Sequence, residues 1–319
     1  MSISSTLCAE ITKPNLSFAI DAIIIGKRKA KSGTRGGTNI PFNFTIKDVV
    51  GDTANVVYWA RPDKYLEANS ILQLGSAFRF VSLKSSSAGR GKEIDPRTTC
   101  AFVLQMSTLS VEKLGDKKIE EKLMHIFSTI PQGLEVTPIP QLLSATATFR
   151  TNVMATVVSI GELRQVKVPS GELASALDLE VADHSLESII VTLWGSELTA
   201  FVHEQIMAWD SVILLQDAKV KFYANRSNHV TIGTQTLVTP NASGKAATII
   251  QRAVAKARAE GLKFRKMLEI PKTAPAYSPD LPPQWMLLKV ISDFFNRALW
   301  PDHINPYKPM VSICEFIET

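Results

Sequence analysis

Cysteine is scarce and scattered in this chain: Cys8, Cys100 and Cys314 stand far apart, with no CxxC pair and no histidine pair at zinc spacing. Neither a disulfide framework nor a zinc site is indicated. No apolar run approaches the length of a membrane span, so no membrane partner is expected. The N-terminal stretch MSISSTLCAEITKPN lacks the charged start and apolar stretch of a signal peptide, and the expectation is an intracellular protein. Carboxylates are absent from Gly26 to Lys47, a window that holds Lys27, Arg28, Lys29, Lys31, Arg35 and Lys47. The remaining composition is ordinary, with 319 residues, 45% hydrophobic and 20% charged, and a net charge of +5. That length suffices for two domains of roughly 110 residues each plus a further segment. The mild positive charge alone is a weak pointer to an anionic partner.

What the chain does have is internal repetition. Gly26, Asp48 and Trp59 recur as Gly161, Asp183 and Trp194, each pair offset by the same 135 residues. Ile23, Phe44, Ile46, Ile71, Phe78 and Phe80 fall opposite Val158, Leu179, Val181, Ile206, Ile213 and Leu215 without a gap. One inserted residue would reverse the in/out sense of a strand, so an ungapped apolar register implies shared strands and a shared core design.

Alternation places the strands of the first copy at 18–25, 41–47, 55–59, 78–83 and 101–106, with a short helix suggested by Tyr65, Leu66, Ile71 and Leu72. The second copy repeats the order at 153–160, 176–181, 188–194, 211–222 and 229–238, with a helix near Leu198 to Met207. Three strands, a helix and two strands is the order of the oligonucleotide/oligosaccharide-binding (OB) barrel. The expected fold is therefore mainly β: tandem OB barrels at 1–107 and 149–242, joined by a linker with a helix (Val111 to Ile126) at 108–148. A helical segment follows at 243–319, too short for a complete third barrel. It comprises a basic helix from Ser243 to Leu268, a proline-rich break, and an apolar helix from Trp285 to Trp300 whose face either docks on a barrel or binds a partner.

The candidate site divides between the copies. Lys27, Arg28, Lys29, Lys31 and Arg35 on the first strand 1–2 loop would attract phosphate. Trp59 and Trp194 end strand 3 in their barrels, where a large aromatic is either a core plug or a plate for base stacking. Phe222 and Tyr223 sit at the second strand 4–5 turn among Lys219, Lys221 and Arg226. Catalysis has little support. Asp178 and Glu180 share a strand face, but their counterparts Asn43 and Thr45 are neutral, and a nuclease needs several carboxylates converging on a metal. Asp183 beside His184 looks like half a catalytic pair, yet Asp48 recurs at the matching turn, where turn geometry explains it. No catalytic residue, metal or cofactor is assigned.

The segments VTLWGSELTAF, DAKVKFYANRS and LVTPN resemble the second DNA-binding OB domain of the replication protein A large subunit. With AIIIGKRK, FNFTIKD and the Trp59 segment, the chain is more similar still to the meiosis-specific with OB domains (MEIOB) family, as a short, divergent member of the Hold'em type. The resemblance covers about residues 16 to 260. The resemblance to the replication protein A domain implies that Trp194 matches its base-stacking tryptophan and Tyr223 the aromatic of its strand 4–5 loop. The resemblance as a whole further implies a nuclear, chromosomal protein that binds single-stranded DNA in meiotic homologous recombination and double-strand break repair. Other recombination or repair proteins would be its partners, with replication protein A among the candidates. An OB-fold interaction scaffold and a 3′–5′ single-strand exonuclease by family analogy are the alternative functions. The family's third OB domain with its zinc ribbon has no counterpart here, which puts functions assigned to that domain in doubt.

Overall fold

A computed structural model of the chain describes residues 5–28, 39–87, 97–168, 171–206, 210–223 and 227–266. The first copy forms β1 (Ser17–Arg28), β2 (Ile40–Asp48), β3 (Thr53–Ala60), α1 (Pro62–Ile71), β4 (Ala77–Ser86) and β5 (Val103–Met106). β1 pairs with β2 and β4, β3 pairs antiparallel with β2 and parallel with β5, and β5 pairs with β4. The ring is closed. β6 (Val111–Glu112), α2 (Lys117–Ser128) and α3 (Ile139–Leu143) connect it to the second copy. There, β7 (Phe149–Ile160), β9 (Leu173–Ala182), β10 (Glu187–Trp194), α4 (Ser196–Gln205), β11 (Val212–Lys221) and β12 (His229–Ile232) close in the same order, and β8 (Arg164–Lys167) extends β9 as a hairpin arm. β13 (Leu237–Thr239), α5 (Lys245–Ala259) and β14 (Arg265–Lys266) follow. These are two OB barrels in tandem.

Several boundaries differ from the sequence expectation for local reasons. The linker helix starts at Lys117 because Asp116 caps it, accepting from Lys118 N at 2.8 Å; Val111–Glu112 pairs with β4 instead. The last strand of the second barrel divides at the turn containing Gly233, so β13 pairs with β11 separately. The basic helix ends at Ala259, where Gly261 takes φ 68° and the amides of Gly261 and Leu262 return to Arg258 and Ala257 carbonyls. The helix expected at 285–300 lies outside the described residues.

Connections between barrels serve as covers. Leu123 and Phe127 of α2 pack on Ile23 of β1, and Ala247 and Ile250 of α5 pack on Met154, Val212 and Leu214. Ile139, Leu142 and Leu143 of α3 join the second barrel's core, as Cys8 and Ile11 join the first. The repeated aspartates tie these covers to the barrels. Asp48 Oδ1 accepts from the amides of Val50, Gly51 and Asp52, and Oδ2 from Cys8 N at 2.8 Å. Asp183 Oδ1 accepts from Ser185 N, and Oδ2 from Ile139 N at 2.7 Å. Each buried aspartate thus folds its own turn with one oxygen and holds a cover with the other.

The barrels meet along a seam. A Cβ on Gly26 would lie 2.5 Å from Leu237 Cδ2, and one on Gly75 would lie 2.8 Å from the Phe201 ring. Leu74 packs against both barrel cores, and Phe201 of α4 meets Phe127 of α2 edge-on at 6.2 Å. Lys27 of β1 pairs with Glu197 of α4 across this contact.

Two acceptor oxygens are needed at Asp48, so asparagine is a poor substitute: its amide nitrogen would face either the turn amides or Cys8 N. Asp48→Ala is expected to cost about 3 kcal/mol in urea unfolding, and Asp48→Asn about half of that. Equal stability of Asp48→Asn and the unsubstituted chain would contradict the two-sided role.

Candidate nucleic-acid interface

The basic window is only partly a surface for anions. Lys27, expected to contact phosphate, is 8% exposed at its side chain. Its ammonium donates to Asn69 Oδ1 at 3.0 Å, stands 5.0 Å from the Phe42 ring centroid and pairs with Glu197. Burial lowers its pKa, opposed by Glu197. Lys27 is therefore a seam residue, since the neighbours that stabilise its charge occupy the space a phosphate would need. Lys47 is similarly diverted: Nζ donates to Ile126 O at 2.9 Å, in the last turn of α2. Arg28, half-buried, lies opposite Asn43 on the outer side of β1. Lys29, Lys31 and Arg35 lie outside the described residues.

Both strand-3 tryptophans stand on the outer faces of their barrels. Val56, Tyr58 and Ala60 on β3, and Val191 and Leu193 on β10, are buried, which leaves Trp59 and Trp194 on the alternate, half-buried side. Trp59 lies opposite Pro41, and its face continues through Val57, Asn55, Asn43 and Thr45, where Thr45 Oγ1 and Asn55 Oδ1 are 3.3 Å apart. No carboxylate interrupts those positions.

The outer face of the second barrel is set by a bulge. Ile213 and Leu215 point into the core, then Ala218 and Val220 do, so the in/out sense reverses at Asp217, whose φ is 60°. Ser82 in β4, 135 residues earlier, has φ 57° and does the same between Phe80 and Leu83. The reversals turn Lys219 and Lys84 outward at equivalent positions. Lys84 was missed in the sequence, although the 135-residue offset from Lys219 identifies it. Lys219 lies beside Thr231, Thr231 beside Thr192, and Thr192 beside Asp178. Trp194 is two residues along from Thr192 on that face.

Lys221 lies opposite His229, and Tyr223 meets His229 edge-on at 5.9 Å. Phe222 is 39% exposed. Asn228, buried, anchors this turn: its Nδ2 donates to the carbonyls of Leu142, Leu143 and Ala145, and its Oδ1 accepts from Tyr223 N. The aromatic turn is thus fixed to α3, while Arg226 lies outside the described residues.

The acidic pair on β9 is engaged. Arg164 of the hairpin arm donates to Asp178 Oδ2, and Ser188 and Ser159 donate to the two oxygens of Glu180. Burial raises the Asp178 pKa, but the hydrogen bond and charge of Arg164, with the neighbouring Thr192 and His229, outweigh it and hold the carboxyl below its usual value. Asp183 is occupied by its turn and by Ile139. Among the described residues, no three His, Cys, Asp or Glu side chains converge as metal ligands would.

This architecture defines a tandem OB-fold protein built like replication protein A. A replication protein A heterotrimer bound to single-stranded DNA matches with a TM-score of 0.56 at 16% identity, covering 81% of this chain and 56% of that one. Within that class, the chain is similar to meiosis-specific with OB domain-containing proteins. Those of Macaca fascicularis and Homo sapiens are each 19% identical, over 252 residues (75% of this chain, 53% of the relative) and 249 residues (74% and 56%). That of Rattus norvegicus is 21% identical over 253 residues, 74% of this chain and 53% of the relative. The chain spans about half the length of these curated relatives. No family model matches it.

Arg164→Ala is expected to raise the Asp178 pKa, because the hydrogen bond and the charge that most oppose the effect of burial are then lost; side-chain carboxyl NMR titration reads the shift. With its folded pKa depressed, Asp178 contributes stability above its unfolded pKa and loses it as pH falls through the folded value. The Arg164→Ala chain should therefore lose less stability over that acid window than the unsubstituted chain. An unmoved Asp178 titration would contradict the assignment.

Proposed function

We propose that the chain binds single-stranded DNA and acts, without catalysis of its own, in meiotic homologous recombination and double-strand break repair on nuclear chromosomes. The observation that carries this reading is the outer face of the second barrel. There, Lys219, Thr231 and Thr192 form one row across three strands beside Trp194, and Tyr223 sits on an anchored turn two residues after Lys221. Lys219 and Lys221 make no ion pair with another described residue, so their charge is available to a backbone.

Stacking on a flat aromatic is tolerant of sequence because every base has a π-face, and cations on the same surface track the phosphates. The first barrel contributes a second surface: Trp59 on a carboxylate-free face, with Arg28 and Lys84 at the two ends of the adjoining Asn43–Val57–Gln105 row, and Lys29, Lys31 and Arg35 as further proposed contacts. Phe222 and Arg226 would extend the second barrel's turn. Similarity to meiosis-specific OB-domain proteins, and to a replication protein whose solved form holds single-stranded DNA, supports the same reading. Partners of the chain would be other recombination or repair proteins.

Fluorescence anisotropy with oligo(dT) tests the reading. Trp194→Ala and Tyr223→Ala should each weaken binding by about 1–3 kcal/mol. Lys219→Gln combined with Lys221→Gln should flatten the log affinity against log salt slope by about 0.7 per lost phosphate contact. Absence of binding at micromolar protein, or binding insensitive to salt, would overturn it. Retained protein partners together with retained biological activity in the Trp194→Ala, Tyr223→Ala chain would favour an interaction scaffold instead.

A further inference from the structure

Strand register decides which side chains share the outer face of the first barrel. Arg28 on β1, Asn43 on β2, Val57 on β3, Gln105 on β5 and Lys84 on β4 are successive register partners and form one row across the barrel. Trp59 stands two residues along β3 from Val57, beside this row. The ends of the row are cationic and its middle is not. Val57, 9% exposed, is an apolar floor, and strand spacing puts Asn43 and Gln105 about 10 Å apart on either side of it. Both amides are half-buried, and neither side chain has a hydrogen-bond partner among the described residues. Thr45 and Asn55, one row further along, face each other instead.

A side-chain amide carries a donor and an acceptor side by side, the pattern that an unpaired base can present along an edge. Two amides on opposite sides of an apolar floor select the base that carries this pattern twice. Adenine does so, because its amino group has one hydrogen beside N1 and another beside N7. Guanine offers two acceptors, O6 and N7, on the second of those edges, and cytosine and thymine have a carbon there in place of the acceptor. We infer that Asn43 and Gln105 make the first barrel selective for adenine, held on Val57 next to the base that stacks on Trp59. This rests on the proposed single-strand binding and names the base that one position of the strand prefers. The second barrel has no such pair. Asp178 replaces Asn43 at the 135-residue offset but accepts from Arg164, and the place of Gln105 beside the outward lysine is taken by Thr231, which has no amide. Base readout is therefore confined to the first copy, while stacking and phosphate attraction are common to both.

Anisotropy titrations test this with oligo(dT) of about 30 nucleotides in which every third base is left as thymine or replaced by adenine, cytosine or guanine. Isolated adenines avoid the self-stacking of an adenine run. The adenine strand should bind about fivefold or more tighter than each of the others. Replacing its adenines by 7-deazaadenine, which lacks N7, or by purine, which lacks the amino group, should remove the advantage with the protein unchanged. Asn43→Ala and Gln105→Ala should each reduce the advantage and together abolish it, with the salt slope retained because no phosphate contact is lost. Equal affinity of the unsubstituted chain for all four strands overturns the readout and leaves single-strand binding standing. An adenine advantage that survives in the double variant, or with both analogues, overturns it as well. Preference for another base overturns the adenine assignment. A chain that binds no strand removes the proposed function and this inference together.

Discussion

An ammonium group at 8% exposure persists in the seam because Glu197 neutralises it, Asn69 accepts from it and the Phe42 ring faces it. Taking such a charge out of water costs several kcal/mol, and removing one partner would leave the other buried and unpaired. The pair is consequently a strong constraint on relative position: Lys27 and Glu197 are satisfied in one placement of the barrels. That placement fixes how the two outer faces follow one another. It also withdraws Lys27 from the set of cations able to meet a ligand.

Much of the fold was legible from the ungapped 135-residue register, because a β-barrel core tolerates no odd slip between copies. The same register carried the turn aspartates, though only the structure explains why they are aspartates: each needs two acceptor oxygens, one for its turn and one for a segment far away in sequence. Long-range ties of this kind leave no local pattern. The bulges at Ser82 and Asp217 are a middle case. Their offset was available in the sequence, but neither residue type announces a positive φ, and their consequence, the outward Lys84 and Lys219, emerges only from pairing.

The positions of the strand-3 tryptophans follow from strand alternation, whereas the surroundings of the basic residues do not follow from the sequence. Alternation with buried neighbours puts Trp59 and Trp194 on the outer, half-buried side of their barrels, which makes neither a core plug. A run of basic residues, by contrast, gives no indication of which member will be spent on packing. Lys27 and Lys47 are tied to Glu197 and to the end of α2, partners 170 and 79 positions away in the chain by subtraction of their numbers.

Two copies of one barrel thus carry related outer faces: each has a strand-3 tryptophan and an outward lysine, Lys84 or Lys219, and the second adds an anchored aromatic turn. Photocrosslinking with oligonucleotides bearing 5-iodouracil, mapped by mass spectrometry, tests this account most directly. Crosslinks concentrated at Trp59, Trp194 and Tyr223 are the predicted result. Crosslinks confined to α2 and α5, which cover the other sides of the barrels, would contradict it.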